Sequence, residues 1–253
     1  MRKFVPSLWC MTTIQCSFKA KSENTMATSA DDCSSNMGFD LNIDLRPVDT
    51  LHTISVLKKY LAAIEQQMPI IRAIEIASLE SDRPAGNDEE EQSIFSGYVS
   101  HLENVFDEDL FPTMRYSCIV FLHTMLETQL RSLCNAIRQE KDLPISLSDL
   151  RGSAIEQARD YLKKLAGIRV SEYPEWSDLR TLQKVRDCIV HQYGFLNSED
   201  SRHQKIRALA ESSPDLEIIC QNRISPSSEF CVRQLSNIES FLKRLMIDMG
   251  WKL

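Results

Sequence analysis

The chain has 253 residues, a formal net charge of −7 and a pI near 5.3. That balance excludes a protein that coats nucleic acid through generalised positive charge, because such binding rests on neutralising phosphates; any nucleic-acid contact has to be local. No apolar run approaches the roughly 18 residues of a membrane span, the longest (Cys118 to Leu122) stopping at His123, so a soluble, cytoplasmic protein with no membrane partner is expected.

Residues 1–46 read as a flexible leader. The basic start before Glu23 superficially suggests a targeting peptide, but Pro6, Ser7, Thr12, Thr13 and Gln15 break its apolar stretch, and 22–40 are polar and aperiodic. After Pro47, with Asp49 as a cap, Leu51, Ile54, Leu57, Leu61, Ile64, Met68, Ile71 and Ile74 recur at three- and four-residue steps and predict a long amphipathic helix kinked near Pro69. Glu80 to Gln92 is a solvated acidic turn, and a helix follows to about Leu110, so 47–110 forms an N-terminal helical extension. From Pro112 to Glu140 the stripe Met114, Cys118, Ile119, Leu122, Leu126, Leu130, Leu133, Ile137 marks the central core helix. Ser148 or Ser153 starts a shorter helix closed by Gly167, and Pro174 opens another that runs to about Tyr193. Residues 196–215 are a loop with a turn of helix around Ile206 to Leu209. Leu216–Ile219 and Arg223–Ile224 are able to pair as a minimal β-hairpin, and Ser225-Pro226 starts the last helix. The fold class is all-α, a helical bundle over 111–253. The eight cysteines lie at irregular spacings, as reduced thiols and not as a disulfide framework.

Chemistry concentrates in Trp176 to Phe195, WSDLRTLQKVRDCIVHQYGF, where RDCIVHQY has the form Arg, four residues, His, one residue, Tyr. On Arg186, His191 and Tyr193, the apolar steps Leu179, Leu182 and Val185, and an upstream core helix carrying Glu127, the chain resembles the HEPN family, loosely over 112–250. The position after the arginine, often Asn in that family, is Asp187 here. The resemblance implies a metal-independent endoribonuclease without a cofactor, working as a homodimer on an RNA substrate, as a toxin or defence effector. It also implies a nucleotidyltransferase antitoxin as partner, with Tyr193 as the side chain modified.

The residue types suit that chemistry. An imidazole, with an ordinary pKa near 6.5, takes the 2′-hydroxyl proton or protonates the leaving oxygen near neutral pH, which makes His191 the acid/base candidate. The fixed fork of a guanidinium pairs with phosphate oxygens, so Arg186 is the candidate for the scissile phosphate. Five helical positions put the two about 140° apart, whereas Asp187, four residues before His191, is placed to orient or charge its ring. A cleft between two symmetric copies would bring each helix's pair to a shared groove.

Plainer readings stand beside these. Arg186 in an apolar stripe fits a structural pair with a carboxylate such as Glu127, though Glu127 more ordinarily pairs with Arg131 one turn on. His191 fits a helix-end histidine and Tyr193 a core residue. Cys188 with His191 has zinc-like spacing without a second ligand pair, and Cys188 between Ile189 and Val190 reads as packing, not as a nucleophile; no metal is expected. The alternative function is a catalytically silent HEPN-type helical module that binds a protein partner.

Overall fold

The structure, a computed structural model, describes residues 46–86, 88–219 and 222–252. The leader expected over 1–46 lies outside them but for its last residue. Seven α-helices and one hairpin follow in order among the described residues: α1 (Arg46–Ser81), α2 (Glu89–Asn104), α3 (Phe111–Glu140), α4 (Ala154–Tyr161), α5 (Trp176–Gln192), α6 (Ser201–Ser212), β1 (Leu216–Ile219), β2 (Arg223–Pro226) and α7 (Ser228–Asp248). The fold is all-α with a minimal antiparallel hairpin, Leu216 opposite Pro226 and Ile219 opposite Arg223.

Helix α3 is the axis, as its stripe predicts. Ile119, Leu122, Leu126, Leu130, Leu133 and Ile137 are all buried, and the helix packs on α4, α5 and α7. Each such side chain contributes about 1.5–3 kcal/mol by leaving water. From α1, Ile54, Leu57 and Leu61 enter the same core as α3, α5 and α7, so part of the 47–110 segment shares the apolar interior of 111–253. Arg115 of α3 fastens this arrangement by a bidentate pair to Glu65 of α1, both contacts 2.9 Å. Helix α1 starts one residue before Pro47, which puts Asp49 in its first turn and not at the cap, and it runs through Pro69 to Ser81 with Met68 buried.

Between α2 and α3 the chain stays helical, but Val105–Leu110 winds as a π-helix, a wider turn that takes in an extra residue. Ser153 caps α4 in a reciprocal box with Glu156, and a second π segment, Leu162–Ala166, ends on Gly167 at φ 77°. Two boundaries differ from expectation. The region around Ile206 forms three turns, capped by Asp200, because His203 and Ile206 are buried against the rest of the fold and supply the tertiary packing that local propensity lacks. Ser225 and Pro226 belong to β2, and it is Ser227 that caps α7 by accepting from the Phe230 N–H.

Candidate functional site

Helix α5 carries the motif. Its inner face is fixed by Leu179, Leu182 and Val185, all fully buried, and by Cys188 and Ile189. This leaves Arg186, Asp187, Val190 and His191 on two other faces. His191 and Asp187 line a groove of about 560 Å³ between α5 and α6. Its other charged residues are all cationic, Arg180 and Lys184 from α5 and Arg202 and Lys205 from α6, and Gln183, Gln192 and the buried His203 complete the polar wall. Asp187 is the sole carboxylate among the lining residues.

These cations are not equivalent. Arg180 donates to Glu156 at 2.8 Å and lowers the Glu156 pKa from its ordinary value. Arg202 donates to Asp200 at 2.7 Å, holding that carboxyl down to about 2. Lys184 and Lys205 have no carboxylate partner among the described residues and face the groove with their charge unspent. His203 is 5% exposed, and its Nδ1 accepts the Asn197 N–H at 2.8 Å, which leaves the neutral ring its proton on Nε2.

Arg186 is placed elsewhere. Its Nη1 donates to Asp187 Oδ1 at 2.9 Å, its Nε is buried without a hydrogen-bond partner among the described residues, and it is not part of the groove lining. Asp187 therefore bridges the two faces, and within one chain Arg186 and His191 do not share a pocket. The 140° separation of a regular helix holds here because α5 is unbroken to Gln192.

Glu127 pairs neither with Arg131 nor with Arg186. It turns back along α3, where Oε1 lies 3.7 Å from His123 Nδ1. His123 is 1% exposed and neither ring nitrogen has a hydrogen-bond partner among the described residues. Burial pushes its pKa below the ordinary 6.5; Glu127 and Asp187 oppose that shift and Arg186 adds to it, so these four side chains sense one another between α3 and α5. In the sequence His123 stands out only as the residue that ends the longest apolar run, and nothing there gives it a role.

Tyr193 is the left-handed cap of α5 at φ 52° and is half exposed, so it is not a core residue. Its hydroxyl hydrogen-bonds Thr113 Oγ1 at 2.9 Å, its ring meets Tyr116 edge-on, and Arg223 lies 6.0 Å from the ring centroid. Cys188 packs as expected: it is buried, its Sγ donates to the Phe195 carbonyl, and burial pushes its pKa up to about 11, which disqualifies it as a ready thiolate. Cys118, Cys134 and Cys231 are likewise buried free thiols. Among the described residues no group of three His, Cys, Asp or Glu side chains is placed to hold a metal, and no helix is long and apolar enough to cross a membrane.

No family model, no curated protein and no solved structure matches the chain.

Proposed function

We propose that the protein is a metal-independent endoribonuclease of HEPN type, with His191 as its acid/base group and the α5–α6 groove as its RNA cradle. The observation that carries this reading is the concentration of Arg180, Lys184, Arg202 and Lys205 around His191 in a chain whose net charge is −7. Phosphate recognition on an acidic protein needs such local segregation of charge. The RNA 2′-hydroxyl attacks the adjacent phosphorus while its proton passes to a base. A 2′,3′-cyclic phosphate forms as the bond to the 5′-oxygen breaks, and that oxygen receives a proton. His191 serves one of these transfers, with Asp187 one turn behind to orient the ring. Arg186 offers its guanidinium to the phosphate once released from Asp187, or reaches the groove of a second copy in a homodimer; exposed Val190, one turn on from Arg186, lies outside the groove lining as Arg186 does. A toxin or defence setting in the cytoplasm, with a nucleotidyltransferase that modifies Tyr193, is part of the same proposal by resemblance.

The placement of Arg186 favours a second reading, a silent interaction module, since its ion pair and buried Nε suit a structural arginine. Cleavage of total RNA by purified protein in EDTA decides between them. Cutting that is abolished by Arg186→Ala and by His191→Ala supports the ribonuclease. A folded, dimeric protein that does not cut RNA supports the module.

A further inference from the structure

The groove does not end at His191. A second cavity of about 300 Å³ adjoins it, and Lys184, Lys205 and Ile206 line both. The two lysines without carboxylate partners thus stand at the junction, one from each helix. Lys184 precedes His191 by seven residues, about 10 Å along the axis of α5. One phosphate cannot bridge that distance, but consecutive phosphates of an extended strand can. The wall of the larger cavity, which holds His191 and Lys184, also carries His203, almost wholly buried, with Nδ1 engaged by the backbone and Nε2 left as the ring's hydrogen-bond donor. No Phe, Tyr or Trp lines either cavity, so the chemistry offered to a strand is to its backbone and not to base stacking.

We propose that Lys184 and Lys205 form a subsite for a phosphate flanking the scissile one in an extended single-stranded RNA, with His203 contacting the strand between this subsite and His191. The substrate class is single-stranded RNA read through its phosphates with little base preference. This rests on the ribonuclease reading for its biological use, but not for the binding itself.

The test uses a ten-nucleotide, fully 2′-O-methylated RNA, which lacks the attacking hydroxyl, with binding followed by fluorescence anisotropy across a salt series. Replacing both lysines (Lys184→Gln with Lys205→Gln) should weaken binding roughly tenfold and flatten the slope of log K against log[salt] by about 1.4, from about 0.7 per phosphate contact on a single strand. The charge-keeping pair Lys184→Arg with Lys205→Arg should retain the slope, which separates a charge effect from damage to the fold. In cleavage assays the Gln pair should raise KM more than it lowers kcat for the unmodified decamer, and raise KM less for a dinucleotide, which has no flanking phosphate. An unchanged salt slope, equal binding of blunt duplex RNA, or no binding by the wild type overturns the subsite. Binding with the predicted slopes but no cleavage by the wild type overturns the ribonuclease and leaves the subsite standing.

Discussion

His123 Nδ1 and Glu127 Oε1 lie 3.7 Å apart, one helical turn along α3, in a place where the imidazole is 1% exposed and has no hydrogen-bond partner among the described residues. Burial keeps this ring neutral in the folded chain by holding its pKa below 6.5. In the unfolded chain the ring protonates near its ordinary value. Below about pH 6.5 the unfolded state therefore binds more protons than the folded one, so stability falls with falling pH until the folded pKa is reached. Denaturant unfolding at pH 7.5 and 5.5 should show a smaller acid loss for His123→Leu than for the wild type. At pH 7.5 that variant should be neutral to about 1 kcal/mol more stable, since an unpartnered polar group is replaced by an apolar one of similar size. An equal acid loss in both proteins would show that His123 does not carry the effect.

Asp187→Asn removes the one carboxylate in the groove lining and the ion-pair partner of Arg186. Single-stranded RNA should bind more tightly by about 1 kcal/mol, roughly fivefold, at moderate salt. If the carboxylate orients His191, kcat should fall while KM falls too. Weaker RNA binding by this variant would mean that Asp187 organises the groove and does not oppose the ligand.

Cys188→Ala should keep full cleavage, because a thiol pushed up to about 11 is no nucleophile at neutral pH. Its expected cost is about 1 kcal/mol of stability from lost packing. Loss of cleavage without loss of folding would bring a Cys-His dyad back into consideration.

The link between α1 and the rest of the core is open to the same approach. Glu65→Gln breaks the bidentate pair with Arg115, whose side chain is 20% exposed, and should cost about 1–2 kcal/mol in denaturant unfolding. A change within experimental error would place α1's hold on the core in Ile54, Leu57 and Leu61 alone.

Gly194 and Gly250 make a matched pair, both at φ 82°. An alanine Cβ at 250 meets nothing within 4 Å, so Gly250→Ala should cost only the left-handed penalty, about 1 kcal/mol. At 194 the Cβ would overlap the Tyr116 hydroxyl, whose ring is wedged there by its hydrogen bond to the Ile224 carbonyl. Gly194→Ala should lower stability by several kcal/mol and displace Tyr193, measured as a loss of at least 10 °C in Tm relative to Gly250→Ala.

The strongly periodic helices are legible in the residues. Leu126 and Leu130 in α3, or Leu57 and Leu61 in α1, repeat at the spacing of a buried face and need nothing else to announce it. Helix α6 is not legible in this way, because Ser201–Ser212 buries little beyond His203 and Ile206 and is held by its packing on α5 and β1. The site divides along the same line. His191 and Asp187 share a stripe that spacing alone provides. The groove exists only once Lys205, twenty-one residues after Lys184, is folded across from it, and His123 has no signature beyond ending an apolar run.

The π segment at Val105–Leu110 makes the gene unusually tolerant at one point. Its wide turn already carries one residue more than an ordinary helix, so deleting a single codon there would let it relax to α while α2 and α3 keep nearly the same phase. Phe95 would keep its place under Arg83, and Glu103 its pairing with Arg72. The same deletion inside Glu89–Asn104 would turn the residues before it by about 100° against α3. Reading-frame-preserving losses of one codon should therefore be tolerated in the π segment and rejected inside α2.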